Sequence, residues 1–390
     1  MTKRILIVRL SAVGDTILSL PILCALRKEY PDARIGWVVG SGSADMVRGH
    51  DALDDLFVLT KNDLKSVKTY WAFLKQVRRW QPTTLIDVQG LTKSALIGWY
   101  SGATRRIGLG KSEFEGRELS TWLNNTLVTP TSEHVVERGL ELLKPLGIEN
   151  PEIEYRVPVS IAANQCVNEQ IRALTGQSGE PSPFAILNVG AGWVSKIWPV
   201  DRYAAVAKHL KNRWNLRTMI AWGGAEERSL AEQVSILSGG AAIELPATSL
   251  LELAEWIRRS VLFVGSDTGP MHLSVAIDIP TVSLIGPMPI ARVGHFSQKH
   301  IAIQRDSLTE KERAHRKTDT RPMLSIQASD VIEACDEILT RRGFSAVSSN
   351  RSDAVSSSRS DAVPSNRSGA LPLPLANPDQ RNSSWEYSTK

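Results

Sequence analysis

Short, continuously apolar segments recur along this chain, and each is followed by a glycine-containing turn and a segment with helical spacing. Residues 5–10, 84–88 and 184–188 are examples. A continuous apolar run is typical of a parallel strand that is buried on both faces, and the segment after it supplies the crossover helix. The recurrence predicts an α/β protein built from doubly wound parallel sheets.

The same pattern runs through the chain twice, which predicts two Rossmann-like domains facing a central cleft. Residues 150–183 contain prolines and a polar stretch typical of a domain boundary. We therefore expect an N-terminal domain over residues 1–160, a linker region over 161–183 and a C-terminal domain over 184–344. From residue 345 the chain becomes Ser-rich with an eight-residue repeat, which predicts a disordered low-complexity tail over residues 345–390. This tail is either dispensable or a tether for a partner or a membrane surface.

Two local patterns carry more specific structural predictions. Residues 16–30 are expected to form a helix in which Pro21 causes a kink or marks a late start. Residues 105–117 combine glycines with several cations and are expected to be a loop.

The net charge of +5 and the pI of about 9.1 favour acidic partners such as phosphates or anionic lipid. Nucleic acid is not expected, because the basic residues are spread out and most have acidic neighbours.

No apolar run approaches the ~20 residues of a transmembrane helix. Cys24, Cys166 and Cys335 lie far apart without metal-binding spacing, which favours a reducing cytoplasm and no metal site.

Residues 264–272 (VGSDTGPMH) are typical of a strand that ends in a tight turn and opens a helix. The free N–H groups of such a helix start bind anions, so Thr268 and Gly269 are expected to hold phosphate oxygens. Asp267 has the same charge sign as a phosphate and is expected to orient the turn. His272 either donates to a phosphate or is a satisfied core residue.

Four segments in chain order, at residues 9–15, 87–94, 190–199 and 267–272, together resemble motifs of glycosyltransferase family 9, the ADP-heptose:lipopolysaccharide heptosyltransferases. The likeness spans roughly residues 4–343, and type I members of the family are the most similar. The resemblance implies a GT-B fold and an inverting reaction that needs neither metal nor cofactor. It also implies an N-terminal domain for the acceptor and a C-terminal domain for ADP-heptose.

Residue roles follow from the resemblance and from position. Asp15, just past the first strand, is expected to be the general base, although an Asp there could also cap the next helix. Lys196 follows a glycine-rich turn and is expected to stabilise the departing diphosphate, unless it is an ordinary solvated lysine. Glu226 is expected to accept ribose hydroxyls, with Glu227 an equally good candidate.

The implied acceptor is lipid A that carries 3-deoxy-octulosonic acid (Kdo), an acidic lipid at the inner face of the cytoplasmic membrane. Arginine forks match carboxylates and phosphates, whereas the same cations could form a solvated loop. The expected acceptor-binding residues are Arg105, Arg106, Lys111 and Arg117.

Three alternatives remain open from the sequence. The enzyme could use another nucleotide-sugar donor or another acceptor, because Met288 stands where the family usually has Thr. The chain could be a GT-B-fold sugar-nucleotide epimerase, or a nucleotide-binding module without catalysis.

Overall fold

The computed structural model describes residues 3–111, 119–175 and 182–347, and these residues form two six-stranded parallel sheets. The strands of the first sheet are β1 (Arg4–Val8), β2 (Arg34–Gly40), β3 (Asp55–Leu59), β4 (Thr84–Asp87), β5 (Arg105–Leu109) and β6 (Thr126–Val128). Those of the second are β7 (Phe184–Asn188), β8 (Arg217–Ala221), β9 (Ala242–Glu244), β10 (Leu262–Ser266), β11 (Thr281–Leu284) and β12 (Ile301–Ile303). The α/β class with two doubly wound sheets is confirmed.

Both sheets have the same strand order. The first runs β3-β2-β1-β4-β5-β6 and the second runs β9-β8-β7-β10-β11-β12. In each, the order reverses between two central strands, and Val8 lies opposite Asp87 there in the first sheet. Ligands of such sheets bind in the crevice at the carboxyl ends of the strands beside this reversal. The topology therefore directs attention to the turns that follow β1, β4, β7 and β10.

Helices connect successive strands and cover the sheets. They are α1 (Val13–Leu18), α2 (Leu20–Glu29), α3 (Val67–Arg79), α4 (Thr92–Ser101), α5 (Ser120–Leu123), α6 (Val135–Glu141), α7 (Ile161–Thr175), α8 (Val200–Trp214), α9 (Gly224–Leu237), α10 (Leu250–Arg259), α11 (Gly269–Ala276), α12 (Ile290–Val293), α13 (Arg321–Ser325) and α14 (Ala328–Arg341). Short 3₁₀ turns occur at Ser41–Met46, Lys144–Leu146, Val194–Lys196 and Glu312–His315.

Strand β1 shows why the apolar runs are continuous. Ile5 and Ile7 belong to a core that includes α2, whereas Leu6 and Val8 pack on the opposite face with side chains of α3. Alternate side chains of a strand point to opposite faces, so a strand covered on both sides needs apolar residues at every position.

Pro21 marks a late helix start, one of the two outcomes expected for residues 16–30. Helix α1 ends at Leu18 and α2 begins at Leu20, which places Pro21 within the first two positions of α2. Proline is tolerated there because the N–H it lacks would have no intrahelical partner.

The expected loop at residues 105–117 is wrong at its start. Arg105–Leu109 is strand β5, in which Ile107 lies between Ile86 of β4 and Thr126 of β6. Pairing with two neighbours overrides the weak local signal of arginines and glycine. Residues 112–118 lie outside the described part of the chain.

Helix α7 occupies most of the expected linker and packs on α10. Trp256 donates from Nε1 to Gln170 Oε1 at 2.9 Å, and Asn164 Nδ2 donates to Glu255 Oε2 at 3.3 Å. The division into residues 1–160, 161–183 and 184–344 remains a proposal, and the expected tail lies beyond residue 347. Over the described ranges, every helix is too short or too polar to cross a bilayer.

Candidate functional site

Two adjoining cavities lie in a cleft at the carboxyl ends of the central strands. The first, of about 260 Å³, is lined by α1 and by the turns after β7 and β10. The second, of about 320 Å³, is lined by the turns after β1 and β4 together with several arginines. The residues that line both are Asp15, Leu18, Val135, Trp193, Met288 and Arg292. Asp15 therefore stands where the two cavities meet.

Asp15 is the third residue of α1 and is held by two contacts. Its Oδ2 accepts the Ala12 N–H at 3.1 Å and lies 2.7 Å from Nη2 of Arg9. The side chain keeps 42% exposure. Burial in the cleft raises the pKa of Asp15, but the Arg9 charge and the Ala12 N–H outweigh it, so the pKa lies below its usual range. An ionised carboxylate is the form that can accept a proton.

Lys196, Asp267 and His272 form a connected cluster in the first cavity. Lys196 Nζ donates to Oδ2 of Asp267 at 2.6 Å and to its carbonyl at 2.9 Å. Oδ1 of Asp267 lies 3.0 Å from Nε2 of His272. Burial raises the pKa of Asp267, yet the Lys196 charge and the hydrogen bond with His272 hold it far below its ordinary range. Within the described ranges, no group of three or more His, Cys, Asp or Glu is arranged to hold a metal ion.

The N-terminus of α11 points into the same cavity and packs closely on α1. Thr268 is the N-cap and Gly269 the first helical residue, so their N–H groups lie at the positive end of the helix. A Cβ on Gly14 would lie 3.0 Å from Cδ2 of His272 and 3.4 Å from Cα of Gly269. Glycine at position 14 thus allows Asp15 and the start of α11 to approach each other.

The second cavity is lined by Arg9, Arg138, Arg292 and Arg316. Arg9 lies in one of the motifs noted in the sequence, but no role was predicted for it. The other three arginines were not predicted at all, because they lie on or next to three different elements and none has a local signature. Four guanidinium groups around one cavity suit an acidic ligand.

A buried carboxylate holds the turn after β4, which lines this cavity. Asp87 is fully buried, which raises its pKa, and its Oδ1 accepts the Gly90 N–H at 3.0 Å. Within that turn, Gln89 Oε1 accepts the Leu10 N–H at 2.7 Å. The turn after β4 thereby holds the turn after β1, which leads to Asp15.

The structure distinguishes Glu226 from Glu227, the two candidates for contact with ribose hydroxyls. Glu226 is exposed, whereas the carboxylate of Glu227 lies against Gly190 and accepts the Gly223 N–H at 2.6 Å. Burial raises the pKa of Glu227 to about 7. Glu227 is thus the one that faces the turn after β7.

Arg105 and Arg106 are not at the cleft. They open β5, opposite Thr84 and Leu85, and so lie at the amino edge of the sheet. Arg106 also donates to the carbonyls of Leu123 and Ala103. Lys111 is exposed after the carboxyl end of β5, on the cleft side, and Arg117 lies outside the described residues. The expectation for Arg105 and Arg106 fails because strand direction, which local composition does not reveal, decides which edge they occupy.

Two such sheets with their carboxyl edges on one cleft define the GT-B class. The model of glycosyltransferase family 9 (heptosyltransferase) matches residues 70–323, and this chain belongs to that family. The resemblance seen in the four motifs is confirmed.

Two heptosyltransferases resemble this chain over most of their own length. The lipopolysaccharide heptosyltransferase 1 of Pseudomonas aeruginosa is 28% identical over 311 residues, 78% of this chain and 84% of the relative. The enzyme of the same description from Salmonella typhimurium is 26% identical over 77% of this chain and 93% of its own length.

Solved structures show the same fold. A family 9 glycosyltransferase from Veillonella parvula superposes with a TM-score of 0.77 at 21% identity, covering 87% of this chain and 98% of its own. The E. coli heptosyltransferase WaaC with ADP gives 0.68 at 22% identity, covering 86% and 99%.

Proposed function

We propose that this protein is an inverting glycosyltransferase that moves heptose from ADP-heptose to a Kdo–lipid A type acceptor in lipopolysaccharide core biosynthesis. The relatives named lipopolysaccharide heptosyltransferase support the substrates, as does a solved E. coli relative that holds ADP-2-deoxy-2-fluoro heptose. The observation that carries the proposal is the position of Asp15 between the two cavities. The first cavity contains a helix N-terminus and a lysine, and the second contains four arginines.

The donor occupies the first cavity, with its diphosphate at the start of α11. The N–H groups of Thr268 and Gly269 donate to the phosphate oxygens there. Lys196 gives two of its three N–H donors to Asp267, which leaves one for the leaving group. The charge that grows on ADP as the bond breaks is stabilised by these groups, so the proposed reaction needs no metal ion. Glu227, rather than Glu226, accepts hydroxyls of the ribose.

Asp15 is the base of the reaction. An acceptor hydroxyl oxygen attacks the anomeric carbon, the bond from that carbon to the diphosphate oxygen breaks on the opposite face, and the configuration inverts. The hydroxyl proton passes to Asp15, whose Oδ1 is the better placed atom because both described contacts involve Oδ2. An acceptor carboxylate that binds Arg9 weakens its hold on Asp15 and raises the pKa of the base as the ternary complex forms.

The acidic groups of the acceptor bind the second cavity, with Lys111 at its rim. The arginines there replace Arg105 and Arg106 in the proposal. The acceptor is a lipid, so the enzyme acts at the cytoplasmic face of the inner membrane. The free cysteines Cys24, Cys166 and Cys335 suit that compartment.

Release of ADP from ADP-heptose, with and without Kdo–lipid A, tests the proposal. We expect release that depends on the acceptor and a product whose anomeric configuration, read by NMR, is opposite to that of the donor. GDP- and UDP-sugars, assayed in parallel, test which nucleotide sugar is the donor. This question arises because Met288, which stands where the family usually has Thr, lines both cavities. Epimerisation without acceptor, or tight ADP binding without turnover, would contradict transfer.

A further inference from the structure

Large apolar side chains are exposed on one outer surface of the first sheet. Helix α4 lies between α3 and α5 there, and the Trp71 ring meets the Tyr100 ring edge-on at 5.0 Å between centroids. Trp99 is 57% exposed and Trp122 is 86% exposed. The exposed apolar residues of this surface, hereafter the α3–α5 face, are Val67, Trp71, Leu96, Trp99, Leu119 and Trp122. Contiguous exposed aromatic and aliphatic groups of this size mark a surface that contacts something.

The positive charge of the chain is concentrated in the same region. Residues 61–128 contain eleven Lys or Arg and five Asp or Glu, a surplus of six, whereas the whole chain has a net charge of +5. Helices α3 and α4 contain no acidic residue. Lys68 and Lys75 of α3 and Lys93 of α4 are exposed. Basic residues are therefore in excess in this part of the chain, although they are spread out over the chain as a whole.

The α3–α5 face is continuous with the arginine-lined cavity. Leu91, the N-cap of α4, lines that cavity together with Gln89. The Leu119 N–H donates to Oγ1 of Thr92 at 3.2 Å, so the segment leading to α5 meets α4 at its first turn. A ligand that reaches the cavity can therefore extend along this face.

We propose that the α3–α5 face docks on the surface of an anionic phospholipid bilayer. Trp99 and Trp122 enter the headgroup region, where amphipathic aromatic rings are favoured. The lysines meet lipid phosphates while their methylene stems cover apolar surface. This proposal depends on the proposed function in one respect, the purpose of the docking. Docking would let the sugar end of a lipid acceptor reach the cavity while its acyl chains stay in the membrane.

A second copy of this chain is the other occupant to consider. A two-fold interface brings the same patch of both copies together, so the lysines of the two α3 helices would face each other. Like charges across an interface disfavour association, whereas the same charges attract an anionic membrane. The charge therefore favours the bilayer.

Co-sedimentation of the full-length protein with vesicles tests this proposal. One vesicle preparation contains phosphatidylethanolamine with phosphatidylglycerol, and the other contains phosphatidylcholine alone. The variants are Trp99→Ser with Trp122→Ser, and Lys68→Glu with Lys75→Glu. The controls are Ile236→Ser, which is 71% exposed on α9, and Lys208→Glu, which is exposed on α8.

We expect the wild-type protein to bind the anionic vesicles and the neutral ones much more weakly. Each double variant should lose about tenfold or more in the apparent partition coefficient, and the controls should match the wild type. The tryptophan variant should also keep its turnover on a deacylated, water-soluble acceptor but lose turnover on acceptor embedded in vesicles. Vesicle binding is measured without substrate, so it is independent of whether the proposed reaction is correct.

Three results would overturn the membrane proposal. The wild-type protein could fail to sediment with anionic vesicles. The double variants could bind as well as the wild type, or the controls could lose binding equally. Finally, sedimentation velocity could show a wild-type dimer that the tryptophan variant converts to monomer, in which case the α3–α5 face is an interface between copies.

Discussion

At Asp15, contacts at the helix start and the proposed role as the base are compatible within one carboxylate. The sequence left open whether this residue caps α1 or acts as the base. In the structure its Oδ2 accepts the Ala12 N–H and pairs with Arg9, so one oxygen serves the helix start. A carboxylate has a second oxygen with its own lone pairs. The contacts with Ala12 and Arg9 therefore position the carboxylate and leave its second oxygen for the proposed proton transfer.

Replacement of Asp15 by Asn tests the base assignment. We expect turnover to fall about 10²–10⁴-fold, because the amide cannot accept the hydroxyl proton. The amide oxygen can still accept from Ala12, so ADP affinity, measured by calorimetry, and the melting temperature should change little. Turnover near that of the wild type in this variant would remove Asp15 from the mechanism.

Glu227, the proposed acceptor of ribose hydroxyls, is held at a cost in stability. Burial raises its pKa to about 7, against about 4.3 for an unperturbed Glu. The folded protein therefore holds a proton that the unfolded chain releases, and between these two values stability falls as pH rises. The loss is complete above pH 7, where the folded carboxyl is also ionised.

We predict that Glu227→Gln raises the melting temperature of the ligand-free protein more at pH 8 than at pH 5. The amide keeps an oxygen for the Gly223 N–H but carries no buried charge. The same variant should bind ADP more weakly, because a neutral amide is a poorer acceptor for ribose hydroxyls. Glu226→Gln is the matched control, and equal effects of the two variants on ADP affinity would contradict the assignment.

At the scale of elements, the site depends on the contact between α1 and α11. One helix follows β1 of the first sheet and the other follows β10 of the second, and they meet at Gly14 and Gly269. The proposed base and the proposed diphosphate site are thus carried by two helices from different sheets. Any change that separates the helices also separates the reacting groups.

Gly14→Ala should therefore reduce turnover by roughly tenfold or more, since misplacement by about 1 Å can cost 10²-fold. The added methyl group would meet Cδ2 of His272 and the backbone of Gly269. Gly42→Ala is the control, because a Cβ at Gly42 meets no atom within 4 Å. Steady-state kinetics and melting curves of the two variants should differ in turnover, and equal turnover would show that the helix contact does not position Asp15.

At the scale of the whole molecule, two sheets of identical strand order bring four turns to one cleft. The turns after β1 and β4 come from the first sheet, and those after β7 and β10 come from the second. Neither sheet alone carries both the proposed base and the proposed diphosphate site.

Deletion of residues 349–390 should leave turnover and the melting temperature unchanged. The Ser-rich repeat has too few apolar residues to form a core, so its removal exposes no buried surface. The comparison uses the full chain as control, with a water-soluble acceptor and with acceptor in vesicles. A loss of turnover on either acceptor would show that the tail has a function.

The sequence by itself determined the α/β class, the doubly wound sheets, an interruption of the helical segment at Pro21 and the turns that carry Asp15, Lys196 and Asp267. These features depend on local signals, because apolar runs, proline and glycine act over a few residues. The short strands β5, β6, β9 and β12 were not predicted, because at three to five residues they owe their structure to pairing with a neighbour.

The tertiary structure alone decided which side chains share the cleft. It placed Arg138, Arg292 and Arg316 in one cavity although they are far apart in the chain, and it placed Arg105 at the opposite edge of the sheet. It also turned Glu227 inward and gathered the exposed tryptophans on one basic face. The physical reason is that strand order, strand direction and helix packing determine these neighbours, and none of the three is encoded in a local pattern.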